Sequence, residues 1–297
     1  MNAPLLNSTE LASIHQQVLA GKTRQTVATT YAPGQHLSHY RGQGVELEDN
    51  RPYHQGDDIR HMNWRATARS GKPTMKVFRE ERQRSLYLVI DKTQTMAFGT
   101  RNTLKANVAA TAAAIFAFSA IAHHETIAGV VLNKKAKHYT PTRSLEQAFD
   151  FIHDIAGPLQ TNNDPFWYRS DTGQLLAHLE QRTRQGCTII FISDFIGLNE
   201  KHQQLIGKLA EKRQLIAIHV SDPAEESISN IGNIRLYSPI TQQYHLIDTG
   251  NAEIRHNFNL QMQKRKQALT RFFNNYNMPI QQVSTQYDVF TQLEHHW

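Results

Sequence analysis

Leu86-Tyr87-Leu88-Val89-Ile90-Asp91-Lys92-Thr93-Gln94-Thr95 decides the fold. Five apolar residues run without a polar break into an acid, and then into a turn rich in hydroxyls. A strand buried on one face alternates apolar with polar. A run without alternation reads as a parallel strand covered on both faces. A second run, Thr188-Ile189-Ile190-Phe191-Ile192-Ser193, also ends on an acid, Asp194. In open α/β sheets, ligands bind beyond the carboxyl ends of such strands. Asp91 and Asp194 are therefore expected at one crevice, with the hydroxyls of Thr93 and Thr95 beside them. Donors that are all oxygen, with two carboxylates among them, suit a hard cation such as Mg²⁺ or Mn²⁺.

Outward from these runs, strand and helix alternate. Strands are expected at 85–90, 127–132, 187–193 and 215–220, and helices at 103–122, 145–155, 172–184 and 200–212. This is a βα series with a mostly parallel sheet flanked by helices. A short antiparallel pair is expected at 234–237 and 244–247, a long helix at 251–276 and a last strand at 279–284. The N-terminal third differs. Residues 8–20 suit a short helix, and residues 34–71, rich in Gly, His, Arg and Asp, show little periodicity. The organisation expected is an N-terminal helix and linker (1–33), an extended arm block packed on the main domain (34–84) and the α/β domain (85–297). Within the arm, Arg51, Asp57, Asp58, Arg60, Arg65 and Arg69 alternate in sign. They are expected to pin the arm through ion pairs, since arginine pairs with carboxylates in bidentate fashion. An anion or partner-carboxylate site is the alternative. Tyr53, Trp64 and Phe78 are expected to bury against the main domain.

Composition narrows the classes. Hydrophobic residues make up 39% of 297, low enough to predict a substantial exposed or extended portion. The single cysteine, Cys187, excludes an internal disulfide and suits a reducing compartment. The longest apolar stretch, 108–122, is broken by Thr111 and Ser119 and falls short of the ~20 residues of a membrane span. It reads as a buried helix. With no signal-peptide pattern at 1–10, a cytoplasmic location is expected. The net charge of +6 permits acidic partners, nucleic acid or anionic lipid. No basic run carries the interleaved aromatics of a nucleic-acid platform. Lys264-Arg265-Lys266 reads as the polar face of a helix whose Leu269, Phe272 and Phe273 pack inward.

Other motifs carry less. Ala20-Gly21-Lys22-Thr23 mimics the end of a P-loop, but Gln16 stands where the motif needs glycine, and no strand precedes it. His123-His124 suits a helix C-terminus better than a shared ion, because adjacent helical residues point apart. Cys187 opens a buried strand and reads as a structural thiol. No Ser–His–Asp or paired-glutamate arrangement stands out, so no catalytic residue is expected.

Asp91-Lys92-Thr93-Gln94-Thr95 resembles the Asp-x-Ser-x-Ser motif of von Willebrand factor A domains, the metal-ion-dependent adhesion site, with threonine at both serines. Ile192-Ser193-Asp194-Phe195 resembles the segment carrying that family's distal aspartate. Upstream are Gly34-Gln35-His36-Leu37-Ser38, Arg41-Gly42-Gln43-Gly44-Val45-Glu46 and Arg51-Pro52-Tyr53-His54-Gln55-Gly56-Asp57-Asp58-Ile59-Arg60. Asn63-Trp64-Arg65-Ala66-Thr67-Ala68-Arg69 and Glu80-Glu81 follow. Together they resemble the bacterial family called domain of unknown function 58, well over 34–194 and loosely beyond.

The resemblance implies a von Willebrand factor A-like, Rossmann-like α/β fold with an N-terminal arm block. It implies a fifth ligand, a threonine from a separate loop. Thr172 is the first choice, with Thr142 and Thr161 as alternatives. It further implies a non-catalytic interaction module that partners a MoxR-type AAA+ ATPase and engages a client protein offering a carboxylate. Without a metal, Thr93 and Thr95 would merely cap the next helix. Two other function classes stay open. An RNA-binding von Willebrand A-like protein would show strongly salt-dependent affinity. A metal-dependent hydrolase would need a general base beside Asp91 that the sequence does not offer.

Overall fold

A computed structural model describes residues 3–21, 46–54, 58–79, 85–100, 103–133, 136–159, 172–238, 241 and 243–294. The chain forms two contact units, one of residues 32–83 and one of residues 1–31 with 84–297.

In the smaller unit, β1 (Glu46–Pro52) and β2 (Thr74–Arg79) pair antiparallel, with Glu46 opposite Arg79 and Pro52 opposite Thr74. A 3-10 turn, Ile59–His61, and a helix, Trp64–Ser70, lie between them. Asp58 caps the turn by accepting from the Arg60 amide at 3.0 Å, and Asn63 caps the helix by accepting from the Ala66 amide at 3.1 Å. Gly71, at φ 68°, closes the helix in the left-handed region. The block is therefore more regular than an extended arm. Its seven-residue helix is too short to show an apolar stripe in the sequence. Trp64, expected to be buried, is 63% exposed at the head of that helix. Tyr53 is half-buried. Among the described residues, the alternating charges give one ion pair, Arg60 Nε to Asp58 Oδ1 at 4.0 Å, with both side chains exposed. Such a pair contributes about 0–1 kcal/mol. Arg65 and Arg69 are exposed. Asp57 and the side chains of Arg51 and Phe78 lie outside the described residues.

The larger unit holds β3 (Ser85–Asp91), β4 (Thr126–Leu132), β5 (Ala136–Thr142), β6 (Thr188–Ser193), β7 (Gln214–Ser221), β8 (Asn233–Ser238), β9 (Gln243–Asp248) and β10 (Ile280–Ser284). Six of these form one sheet in the order β10-β7-β6-β3-β4-β5, parallel except for β5. The alternation of strand side chains sorts the apolar runs into two layers. Leu86, Leu88 and Ile90, with Ile190, Ile192, Ile216 and Ile218, pack on one face under the helices Lys105–Ala122 and Leu145–Ala156. Tyr87, Val89, Ile189 and Phe191 pack on the other, with Leu176 and Leu179 of the helix Thr172–Arg182 and Phe272 and Phe273 of the helix Ala252–Asn275. This is why the runs lack polar alternation. β8 and β9 make the expected antiparallel pair apart from the main sheet.

The helix Lys105–Ala122 is long and apolar enough for a membrane span by composition, and 78% of it is buried in the protein. The described part of the N-terminal segment, residues 3–21, contributes to this core. Ile14 and Val18 of the helix Ser8–Leu19 are buried in it, and the amides of Leu5 and Leu6 both donate to the Ala156 carbonyl. Asn7 and Glu10 cap each other's backbone at the start of that helix, at 2.9 and 2.7 Å.

The two outer strands are finished differently. β5 is largely exposed, runs antiparallel and carries Lys137 and Pro141. At the end of β10, the Gln292 side chain takes the place of a neighbouring strand. Its Oε1 accepts from the Ser284 amide at 2.7 Å, and its Nε2 donates to the Ser284 carbonyl at 2.9 Å.

Candidate functional site

Three neighbouring strands end on aspartates at one edge of the sheet. Asp91 ends β3, Asp194 follows β6 and Asp222 follows β7. All three are buried, at 1, 2 and 0% exposure. Each has a different set of partners.

Asp91 is held by hydroxyls. Its Oδ1 accepts from the Thr93 amide at 2.9 Å and from the Thr93 hydroxyl at 2.7 Å, and its Oδ2 accepts from the Ser193 hydroxyl at 2.7 Å. Burial, then the nearby Asp194 carboxylate, push its pKa up to about 6, against the pull of those hydrogen bonds. A carboxylate in that state favours a nearby cation. Thr95 is 6% exposed, and its hydroxyl, buried at the atom level, has no hydrogen-bond partner among the described residues. An orphaned buried hydroxyl is uncommon and calls for an explanation. Thr93 sits at the N-cap of the 3-10 helix Gln94–Ala97 but makes no side-chain cap bond. The capping alternative therefore fails for Thr93.

Asp194 already has a cation. Lys105, at 0% exposure, places its Nζ 2.7 Å from Asp194 Oδ2 and 2.6 Å from Glu225 Oε1. Burial alone would raise Asp194, but the Lys105 ammonium and the Ile196 amide at 2.9 Å hold it below the usual carboxylate range. Burial would also lower Lys105, yet its two carboxylates keep it raised. The Arg265 guanidinium donates to the Asp194 carbonyl at 3.2 Å.

Asp222 is saturated. It accepts from the Thr100 amide (2.9 Å) and hydroxyl (2.6 Å), the Ala224 amide (3.0 Å) and the Thr285 hydroxyl (2.6 Å). It fixes the loop after β3 and has no capacity left for a ligand. Lys92, one residue from Asp91, does not point into the crevice. Its Nζ donates to the carbonyls of Asp154 (2.7 Å), Ile155 (3.1 Å) and Gly157 (2.8 Å), closing the C-terminus of the helix Leu145–Ala156. Burial lowers its pKa to about 8.

The fold sets the Thr93 hydroxyl on Asp91 and brings the Asp194 carboxylate near enough to act on it, while Thr95 lies in the 3-10 turn that follows β3. Thr172 is the first residue of its helix, and its side chain lies outside the described residues, as does Thr161. Thr142 is removed from consideration. It pairs with Ile127 at the start of β4, whereas Asp91 pairs with Leu132 at the far end. The sequence reading did not find Ser193, Lys105, Glu225 or Asp222. For Ser193 and Asp222 the signal was present, since each ends an apolar run on a polar residue. Lys105 opens a helix that otherwise reads as core, and nothing local marks it. His123 closes the helix Lys105–Ala122 as expected, its Nδ1 lying 2.8 Å from the Ser119 carbonyl.

The donor set fits a hard divalent ion in kind. Among the described residues, Asp91 has no cation paired with it and the Thr95 hydroxyl is unsatisfied, and all the candidate ligands are oxygen. Lys105 limits that fit, because it already neutralises Asp194. Among the described residues, no group of three or more His, Cys, Asp or Glu is placed to hold a metal.

Fold and site define a Rossmann-like α/β domain with an acidic crevice at the carboxyl ends of its central strands. The chain belongs to the family described as Protein of unknown function DUF58, which matches residues 49–268. Uncharacterized proteins of Mycobacterium tuberculosis and Mycobacterium bovis are each 28% identical over 204 residues, or 68% of this chain and 63% of theirs. The chain thus spans less than two thirds of the length of these curated relatives. Among solved structures, it is similar to a conserved hypothetical protein, BatB, of Bacteroides thetaiotaomicron. The TM-score is 0.38 at 12% identity, over 70% of this chain and 93% of that one. It is also similar to an aerotolerance-related membrane protein of Bacteroides fragilis, with a TM-score of 0.41 at 11% identity, over 70% and 94% of the two chains.

Proposed function

We propose that the chain is a non-catalytic protein-interaction module of the von Willebrand factor A-like kind, working in the cytoplasm. Its partner would be a MoxR-type AAA+ ATPase, and its task the assembly or maturation of other protein complexes. The observation that carries this reading is the state of Asp91 and of Thr95 in the turn that follows it. A buried carboxylate raised toward neutrality stands at the same strand end as a buried hydroxyl without a partner among the described residues. Mg²⁺ or Mn²⁺ would be held by Asp91, Thr93 and Thr95, with Asp194 and Thr172 completing the set. When bound, the ion would offer an open position to a carboxylate of the client. The chain's own residues prepare that place. The Thr93 amide and the Ser193 hydroxyl aim the Asp91 carboxylate. Lys105 pairs with Asp194 and Glu225 and so offsets part of the repulsion among the buried acids.

Thermal unfolding with and without MgCl₂ tests the metal. At a concentration ~100 times the dissociation constant, binding adds about 2.7 kcal/mol. Asp91→Ala is expected to abolish that shift and to weaken capture of the ATPase or its client. An equal shift in the variant places the ion elsewhere and ends this reading.

A second reading rests on Lys105 itself. A fully buried ammonium between two carboxylates is a built-in cation. A crevice neutralised this way needs no metal, and Mg²⁺ then leaves the wild-type protein unchanged.

A further inference from the structure

His138 of β5 and His178 of the helix Thr172–Arg182 lie against each other, with ring centres 4.5 Å apart and planes tilted by 50°. Strand alternation explains how they meet. Tyr139 packs on Phe151 of the helix Leu145–Ala156, while Ala136 packs with the layer of Leu176 and Leu179 on the other face. His138 shares the Ala136 side and so faces the helix Thr172–Arg182. His138 is exposed and His178 half-buried. The Nε2 of His178 is buried and has no hydrogen-bond partner among the described residues. The pair stands apart from the acidic crevice, since β4 lies between β5 and the β3 strand that carries Asp91.

Two neutral imidazoles can meet simply as an aromatic contact. That contact leaves a buried ring nitrogen unpaired, which buried polar atoms rarely are. The spacing of the rings suits something more. An imidazole nitrogen binds a metal at about 2.0–2.1 Å, which puts the ring centre about 3.2 Å from the ion. Two rings sharing one ion at nitrogen–metal–nitrogen angles of about 90–110° then have centres about 4.5–5.2 Å apart. The 4.5 Å found here lies at the near end of that range, where square-planar and tetragonal ions fall.

The donors are also in the right state. Burial, then His178 and Arg182, hold His138 below the usual histidine range, so at neutral pH its ring is uncharged and keeps a nitrogen lone pair. Arg182, one turn along from His178, is the positive charge that an ion would meet. It is exposed, and water and salt screen it. Among the described residues, no third His, Cys, Asp or Glu joins the pair, so water would complete the coordination.

We propose that His138 and His178 form a two-imidazole site for a borderline divalent transition ion of the Cu²⁺, Ni²⁺ and Zn²⁺ class. The ion would tie β5, an exposed outer strand with one neighbour in the sheet, to the helix Thr172–Arg182. Nitrogen donors favour these ions over Mg²⁺, so this site and the oxygen-lined crevice can fail separately.

The test is hydrogen–deuterium exchange of the full chain in NiCl₂, in MgCl₂ and in EDTA, beside calorimetric titration with NiCl₂. The chain has 16 histidines, so where the ion binds matters as much as how tightly. Ni²⁺ is expected to slow exchange in residues 136–142 and 174–182, and MgCl₂ to leave both segments as they are in EDTA. In His178→Ala and in His138→Gln the protection is expected to vanish and the affinity of that site to fall about tenfold or more. His138→Gln changes an exposed side chain, so it keeps the test valid if His178→Ala misfolds. Equal protection in the folded variants overturns the proposal, as does equal protection by MgCl₂. Ni²⁺ that does not bind, or that protects neither segment, overturns it too. Protection confined to residues 91–95 and 193–196 would place the ion in the crevice instead.

Discussion

Replacing Lys105 by methionine would separate the two readings of the crevice. The methionine keeps most of the side chain's length and apolar stem but removes the charge. The ammonium lies 2.7 Å from Asp194 and 2.6 Å from Glu225, at 0% exposure. Removing one partner of a buried ion pair leaves uncompensated charge and costs about 3–5 kcal/mol. In a unit of this size, each kcal/mol moves the melting temperature by about 2–4 °C. A drop of about 6–20 °C is therefore expected in EDTA.

The same change should favour a divalent ion. Two unit charges about 4 Å apart interact by about 4 kcal/mol at an effective dielectric near 20, and removing a neighbouring positive charge relieves a repulsion of that order. Mn²⁺ should then bind at least tenfold more tightly to Lys105→Met than to wild type, as read by electron paramagnetic resonance titration. MgCl₂ should recover most of the lost melting temperature. A variant that melts within about 2 °C of wild type, and gains no affinity for Mn²⁺, refutes the role given to this lysine.

Three further outcomes are expected. Lys92→Met removes three hydrogen bonds to the end of the helix Leu145–Ala156, so urea unfolding should show a loss of about 2–3 kcal/mol while Mn²⁺ binding is unchanged. Gly129→Ala would put a Cβ 2.4 Å from the Phe151 ring and 2.5 Å from the Leu88 carbonyl, and should cost about 1–3 kcal/mol by overpacking in the same assay. Asp91→Asn should change how stability depends on pH in EDTA. The folded pKa of about 6 lies above the unfolded value near 4, so between them the native state binds more protons. Wild-type stability is then lost as pH rises through this window, and the variant escapes that loss. The gap between their urea midpoints should widen in the variant's favour from pH 4 to about 6.5 and then stay level; a gap independent of pH counts against the raised carboxyl.

The parallel sheet was legible because its strands are buried on both faces. Leu86 to Ile90 and Thr188 to Ser193 feed alternate side chains to two apolar layers, so they show as unbroken runs. Their closing acids followed from the same pattern, which is why Asp91 and Asp194 could be paired in advance. β5 was not legible. It is an exposed edge strand carrying Pro141, and it lacks both the apolar run and clean alternation. Lys105 was hidden for a different reason. Its charge is satisfied by Asp194 and Glu225, 89 and 120 residues away along the chain. No local pattern records such a partnership. The helix in the smaller unit escaped because its start and stop signals, Asn63 and Gly71, enclose only two turns.

The finish of the sheet's two rims constrains how any partner can be recruited. Many proteins capture an extended peptide by lending it a bare strand edge, so that main-chain hydrogen bonds hold the guest. At β10, the Gln292 amide already answers the Ser284 backbone. At β5, Pro141 lacks an N–H, and the exposed charge of Lys137 discourages an incoming strand. The main sheet is thus a poor template for strand addition, which also protects it against edge-to-edge aggregation. On the main sheet, an incoming chain would therefore have to be read through its side chains more than through main-chain pairing.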